Sequence, residues 1–415
     1  MMLNNIKKWL STGVIGIMFF SVGFSSILQR IHLDLEFKLY ISILSMLLGT
    51  LLIVISLKKS FISLIDIIYK NKSYGDMSKE KLNKLLYKDK SLNKRPKIVV
   101  IGGGTGLSVL LRGLKEHTTN ITAIVTVADD GGGSGVLRED LGMLPPGDVR
   151  SCILALANTE PSMERILQHR FAEGNLKGQN FGNLFMAAMN EEYGSFETAV
   201  KEMSNVLAVT GKVIPMTLEN VKLYAKLESG DVIAGESNIP EKNKELGSRI
   251  ENVFIKPKNP KPLKESIEDI READCIILGP GSLYTSVIPN LLVKDIVKEI
   301  ENSKGIKVYI ANVMTQPGET DGYNVLNHIE AIHKSTKKDL VDYVITNTES
   351  IPDETLEKYN DDGAKQLIIT DEEEYILNKK NIKVIKGNLI DIKKNYIRHD
   401  TNKLSKIIID LTIKN

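Results

Sequence analysis

Cysteine, tryptophan and histidine are scarce in this chain: 415 residues hold two cysteines, one tryptophan and six histidines. Cys152 and Cys275 stand far apart with no C-x-x-C spacing. That excludes a disulfide framework and fits a reducing compartment. The histidines are scattered without metal-ligand spacing, so no zinc centre is read. Charge of one sign is also lacking. The formal net charge is +2, and overall basicity makes no case for a nucleic-acid partner. No internal repeat is visible. No Cys–His or Ser–His pair stands out, nor a carboxylate pair with assignable acid and base roles. Binding or group transfer is expected, not hydrolysis.

What the chain does have is unevenly spread. Trp9–Leu28 and Leu39–Leu57 carry no charged residue, and each has about the ~20 residues a helix needs to cross a hydrocarbon core. Residues 58–97 hold 12 Lys/Arg against 4 Asp/Glu, whereas 98–415 is net acidic. Lys7 and Lys8 precede the first run; Lys58, Lys59, Lys70 and Lys72 follow the second. The positive-inside rule then puts both outer ends in the cytoplasm. We expect a multi-pass protein of the cell membrane: a membrane hairpin over 1–57 with two transmembrane helices at about 9–28 and 39–57, a basic juxtamembrane linker over 58–95 lying on anionic lipid, and a cytoplasmic domain over 96–415. A cleaved signal peptide and a pair of buried soluble helices are the competing readings. Segment 61–69 is too short to span and is placed along the interface. A short helix is expected around Glu80–Leu86.

The body begins as a βαβ unit. Lys97–Gly104 is an apolar strand entering glycines, Thr105–Lys115 has helical apolar spacing, and Ile121–Asp130 is a second strand ending in two acids. Further strands are read within Cys275–Ser282, ahead of its glycine turn, and at Lys307–Thr315 and Val341–Asn347, with a mainly helical stretch at 160–210, an inserted β-hairpin at 221–240 and a final helix at Leu404–Leu411. The fold class is α/β, a Rossmann-like doubly wound parallel sheet.

Ligands of such sheets sit at the carboxyl ends of strands, where six unusual loops fall. Gly102, Gly103, Gly104, Thr105 and Gly106 form a loop whose bare backbone suits a phosphate at a helix start. Val109 replaces the third glycine of the dinucleotide fingerprint, and the P-loop lysine is missing. Asp129 and Asp130 precede Gly131, Gly132, Gly133 and Ser134. They are read as ribose or Mg²⁺ ligands beside a phosphate, against a helix cap ahead of a flexible loop. Mg²⁺ is the candidate cofactor of these two acids. Leu144–Arg150 offers Arg150 as an anion clamp, or as a surface residue on a structural turn. Asn180 and Asn183 are base or sugar ligands, or caps. Gly279, Pro280, Gly281 and Ser282 form a second phosphate cradle. Asn312 opens the sixth loop, which includes Thr315, Gln316 and Glu319.

VVIGGGTGLSVLLRGLK, ITAIVTVADDGGGSG, LPPGDVR, GNLF, ILGPGSLYTSVIPNLLV and NVMTQPGETDGY, with IRHD at 397–400, together resemble the YvcK family of gluconeogenesis factors, related to the CofD phospholactate transferase. The resemblance runs from Pro96 to the C-terminus. It implies a CofD-like fold with UDP-N-acetylglucosamine bound by the Gly102–Gly106, Asp129–Gly135 and Gly279–Ser282 loops and Asn183. It also implies a regulatory role linking carbon metabolism to peptidoglycan synthesis and cell shape. Gly133 stands where the family usually has Ser. The alternative is a CofD-like, Mg²⁺-dependent transferase of a phosphate-linked group; an NAD-dependent oxidoreductase is a third reading. A homo-oligomer and a partner among cell-wall synthesis regulators are expected.

Overall fold

The computed structural model describes residues 2–28, 36–71, 95–393 and 396–415. The chain divides into two units, 1–87 and 88–415, each taken by itself.

In the second unit, strands β1 (Ile98–Gly102), β2 (Ile121–Val125) and β3 (Lys212–Pro215) come first. Next, β4 (Lys222–Leu227), β5 (Val232–Ala234) and β6 (Ile250–Lys256) leave the main sheet. The chain returns with β7 (Cys275–Leu278), β8 (Ile306–Ile310), β9 (Tyr343–Asn347) and β10 (Lys383–Gly387). The main sheet has seven parallel strands in the order β10-β9-β8-β7-β1-β2-β3. β1, β2, β7 and β9 are buried at every position, as strands covered on both faces must be. From β1 the order runs one way to β2 and β3 and the other way to β7. The switch point lies between β1 and β7, where the crevice of an open α/β sheet forms.

The expected hairpin at 221–240 is β4 and β5, antiparallel, and it gains a third strand in β6. Along β4, buried Leu223, Ala225 and Leu227 alternate with Lys222, Tyr224 and Lys226, the period of a strand with one covered face. The tail, poorly patterned in sequence, adds helices at Asp353–Asp361 and Asp371–Lys379 and a pair of antiparallel strands, β11 (Ile390–Lys393) and β12 (Tyr396–His399). It ends in a helix at Thr401–Lys414.

In the first unit, α1 (Met2–Leu28) and α2 (Glu36–Asn71) pack against each other. Glycines set their closeness: a Cβ on Gly49 would lie 2.5 Å from the Phe20 nitrogen and 2.7 Å from the Gly16 oxygen. Ser45 Oγ donates to the Phe19 carbonyl (2.8 Å) and Ser56 Oγ to that of Trp9 (2.6 Å). Small residues and hydroxyls are what join helices where lipid gives no hydrophobic drive. Among the described residues, one helix, Tyr40–Ser60, is long and apolar enough to cross a membrane. The expected first span is only partly met. Its apolar stretch, Ser11–Ile27, is shorter than that of Tyr40–Ser60. α2 continues past Lys58 and Lys59 to Asn71, so segment 61–69 prolongs the same helix. The short helix expected around Glu80–Leu86 lies outside the described residues.

Candidate functional site

β1 ends at Gly102, and the chain turns through Gly103 and Gly104 into α3 (Gly104–Leu114). Gly104 has φ +67°, a left-handed conformation that costs little only in glycine. α3 buries Leu107, Leu110, Leu111 and Leu114, the stripe expected from their spacing, and its N-cap residue Gly103 has no side chain to cap it. The Gly104 amide donates to the Asp148 carboxyl instead, and the amides that follow it stand at the crevice. Beside it, β7 leads through Gly279–Ser282 into one π-helical turn at Leu283–Val287. The two loops touch: a Cβ on Gly106 would lie 2.7 Å from the Pro280 carbonyl oxygen. Fully buried Asn290 fixes the arrangement, donating through Nδ2 to the carbonyls of Gly102 (3.1 Å) and Ser286 (2.8 Å).

A two-lobed cleft lies over these loops. The larger lobe, of 590 Å³, is lined by Gly103, Gly104, Thr105, Gly106, Gly281, Ser282 and Asn312, by apolar Val313, Met314 and Ile397, and by Lys244, Tyr359, Arg398 and His399. The smaller, of 330 Å³, is lined by Asp129, Gly131, Gly132, Gly133, Ser134, Asp148, Arg150, Arg170 and Asn183. Gly104 and Thr105 line both, so the lobes meet at the start of α3.

The electrostatics differ between them. In the larger lobe, His399 Nε2 donates to the Ala311 carbonyl (3.1 Å), and burial pushes its pKa down to about 4, leaving a neutral ring. In the smaller lobe, Asp129 Oδ1 accepts from the Gly131 amide (2.9 Å), while burial raises its pKa. Asp148 is pushed up to about 7, by burial first and then by Asp129, against a hydrogen bond from the Gly104 amide. The Arg150 pKa is lowered by burial and then by the charge of Arg170. Asn183 Nδ2 donates weakly to Ser134 Oγ (3.4 Å); its Oδ1 is buried without a partner. Behind the lobes, Glu236 is pushed up to about 8, by burial and by Asp129, and Glu319 to about 7, by burial.

Most of the residues singled out in the sequence line this cleft. Three do not. Gly102 ends β1 with its carbonyl taken by Asn290. Gly279 shapes the turn at φ +81° without lining the cavity. Asp130 Oδ1 accepts from the Ser237 amide (3.0 Å) and hydroxyl (2.9 Å). Of the two acids considered for Mg²⁺, then, Asp129 reaches the cleft, and the acid that accompanies it is Asp148. Asn180 is a cap: its Oδ1 accepts from the Asn183 amide (3.2 Å) at the start of the helix Phe181–Tyr193. Arg150 is mostly buried and faces the smaller lobe, so the surface-residue reading does not hold. Lys244, Arg170 and Tyr359 were invisible in sequence, because they lie in segments with no loop signature. Arg398 and His399 were marked only by the IRHD motif.

Among the described residues, no group of three or more His, Cys, Asp or Glu is placed to hold a metal ion. The pair Asp129 and Asp148 beside the glycine loop suits Mg²⁺ in its usual setting, one or two carboxylates with ligand phosphates and water completing the shell.

Comparisons with known proteins agree with this architecture. The sequence model of the family described as 2-phospho-L-lactate transferase CofD matches residues 98–390. A relative in Bacillus subtilis, named gluconeogenesis factor, is 49% identical over 77% of this chain and 99% of its own length. One in Clostridium acetobutylicum is 48% identical over 98% of this chain and 89% of its own. A crystal structure of a UPF0052-family protein from Bacillus halodurans superposes with a TM-score of 0.72 at 45% identity, covering 76% of this chain and 99% of that one.

Proposed function

Because this chain belongs to the CofD family, alongside its gluconeogenesis factors, we propose that it is a membrane-anchored cytoplasmic protein that binds UDP-N-acetylglucosamine. In this reading it senses that nucleotide sugar and links carbon metabolism to peptidoglycan synthesis and cell shape, through a regulator of cell-wall synthesis. One observation carries the binding: two glycine loops, at the ends of the adjacent strands β1 and β7, meet over a two-lobed cleft. The diphosphate fits their junction at the start of α3, where the Thr105 and Gly106 backbone follows the Gly104 amide held by Asp148. The nucleoside suits the larger lobe, with Tyr359 and the apolar Val313, Met314 and Ile397 beside it. The sugar suits the smaller one, where Asp129 and Asn183 offer acceptors to its hydroxyls.

α1 and α2 form the anchor, crossing the bilayer twice with both ends in the cytoplasm. Supporting it are the spanning helix Tyr40–Ser60 and the match of the Clostridium acetobutylicum relative, which extends over the N-terminal segment.

The second reading is a CofD-like transferase, favoured by the family match and by Asp129 and Asp148 beside the phosphate loop. Those two carboxylates would hold Mg²⁺, which when bound would neutralise diphosphate charge. Titration of the full-length protein in detergent with UDP-N-acetylglucosamine, with and without Mg²⁺, followed by analysis of the recovered ligand, decides between them. Selective binding with intact ligand is the expected result. Cleaved ligand would move the protein to the transferase reading, and binding of GDP or NAD in preference to the UDP sugar would overturn the ligand assignment.

A further inference from the structure

The smaller lobe is lined by two carboxylates, Asp129 and Asp148, and by Arg150, Arg170 and Asn183. Arg150 Nη2 donates to the neighbouring Ser151 hydroxyl (3.1 Å), and its buried Nε has no partner. Arg170, at the exposed mouth, is held by the Gly178 carbonyl. Among the described residues neither guanidinium has a carboxylate within ion-pair distance; burial first, and then the charge of Arg170, lowers the Arg150 pKa against the pull of Asp148. A mostly buried guanidinium with an unused donor and a second cation facing it is an incomplete arrangement. Asn183 lines the same lobe at 3% exposed, and its unpartnered Oδ1 calls for a donor such as a sugar hydroxyl. Two helices, Gly132–Leu141 and Gly147–Leu156, also start at this lobe without side-chain caps.

We propose that the smaller lobe is a subsite for an acidic substituent on the sugar, so that the protein binds a nucleotide sugar bearing a carboxylate more tightly than its neutral counterpart. This rests on the nucleotide-sugar reading above. The carboxylate meets the guanidinium forks, whose planar donors match it two by two. The sugar hydroxyls turn toward Asp129 and Asp148, and the diphosphate stays at Gly104 and Thr105, where the lobes join.

UDP-glucuronic acid and UDP-glucose form the probe pair, differing only in a carboxylate in place of a hydroxymethyl group. Calorimetry on the full-length protein in detergent should find the acid about tenfold tighter or more, the scale of one charge-assisted contact. In Arg150→Gln and in Arg170→Gln the ratio should fall to near one; Arg170 is exposed, so its substitution does not endanger the fold. Equal affinity for the two sugars in the unsubstituted protein overturns the subsite and leaves nucleotide-sugar binding standing. So does a preference that persists in both variants. If UDP, UDP-glucose and UDP-N-acetylglucosamine all fail to bind, the underlying reading fails as well.

Discussion

Asp148 shows what one position does with burial. Its carboxyl lies beside Asp129, and its pKa is raised to about 7 from 3.8. A raised carboxyl binds a proton in the folded state that the unfolded chain has already released. Its contribution to stability is therefore complete below the unfolded pKa and is lost as pH rises to about 7. Asp148→Asn keeps the shape and removes the ionisation. Relative to the unsubstituted protein, the variant should gain stability between pH 4 and 7 and level off above, by up to ~4 kcal/mol for a shift of this size. Denaturation midpoints of the two proteins across that range check it; parallel curves would refute it. Asp129 stood out in sequence because it follows a strand and precedes glycines. Asp148 lay in the Leu144–Arg150 loop with no role read for it, because its importance comes from what the fold packs around it.

At the scale of elements, the site depends on how closely two strand-to-helix turns approach. Hydrophobic periodicity was enough to read β1, α3, β2, β7 and β9, since strands buried on both faces leave continuous apolar runs. Pairing was not legible: β1 and β7 are separated by more than half of the body, yet their registers align Ile98 with Cys275 and Ile101 with Leu278. Gly106 tests that approach, because an added methyl would meet the Pro280 backbone and not a yielding side chain. Gly106→Ala should weaken UDP-N-acetylglucosamine binding more than tenfold and cost ~1–3 kcal/mol of stability through overpacking. Calorimetry and melting of the same preparation separate the two effects, and unchanged affinity would show that the loop junction does not hold the diphosphate.

For the whole molecule, the two units make separable predictions. The Bacillus subtilis relative matches this chain over 99% of its own length while covering only 77% of this chain, so the body has a counterpart without the N-terminal segment. Removing residues 1–95 should move the protein from the membrane fraction to the soluble one and leave affinity for UDP-N-acetylglucosamine within about twofold, as expected for an independent domain. Membrane association of the truncated protein would relocate the anchor to the body. The amino-acid sequence by itself determined the apolar head, the basic stretch after it, the α/β class and the glycine loops. Each is a local pattern of polarity or of residues that permit unusual backbone. Only the tertiary structure decided which acid faces the cleft, that Arg150 is held inward, and that Tyr359, Arg398 and His399 from the tail wall the larger lobe. Those facts depend on contacts between residues far apart in the chain, and such contacts leave no periodicity to read.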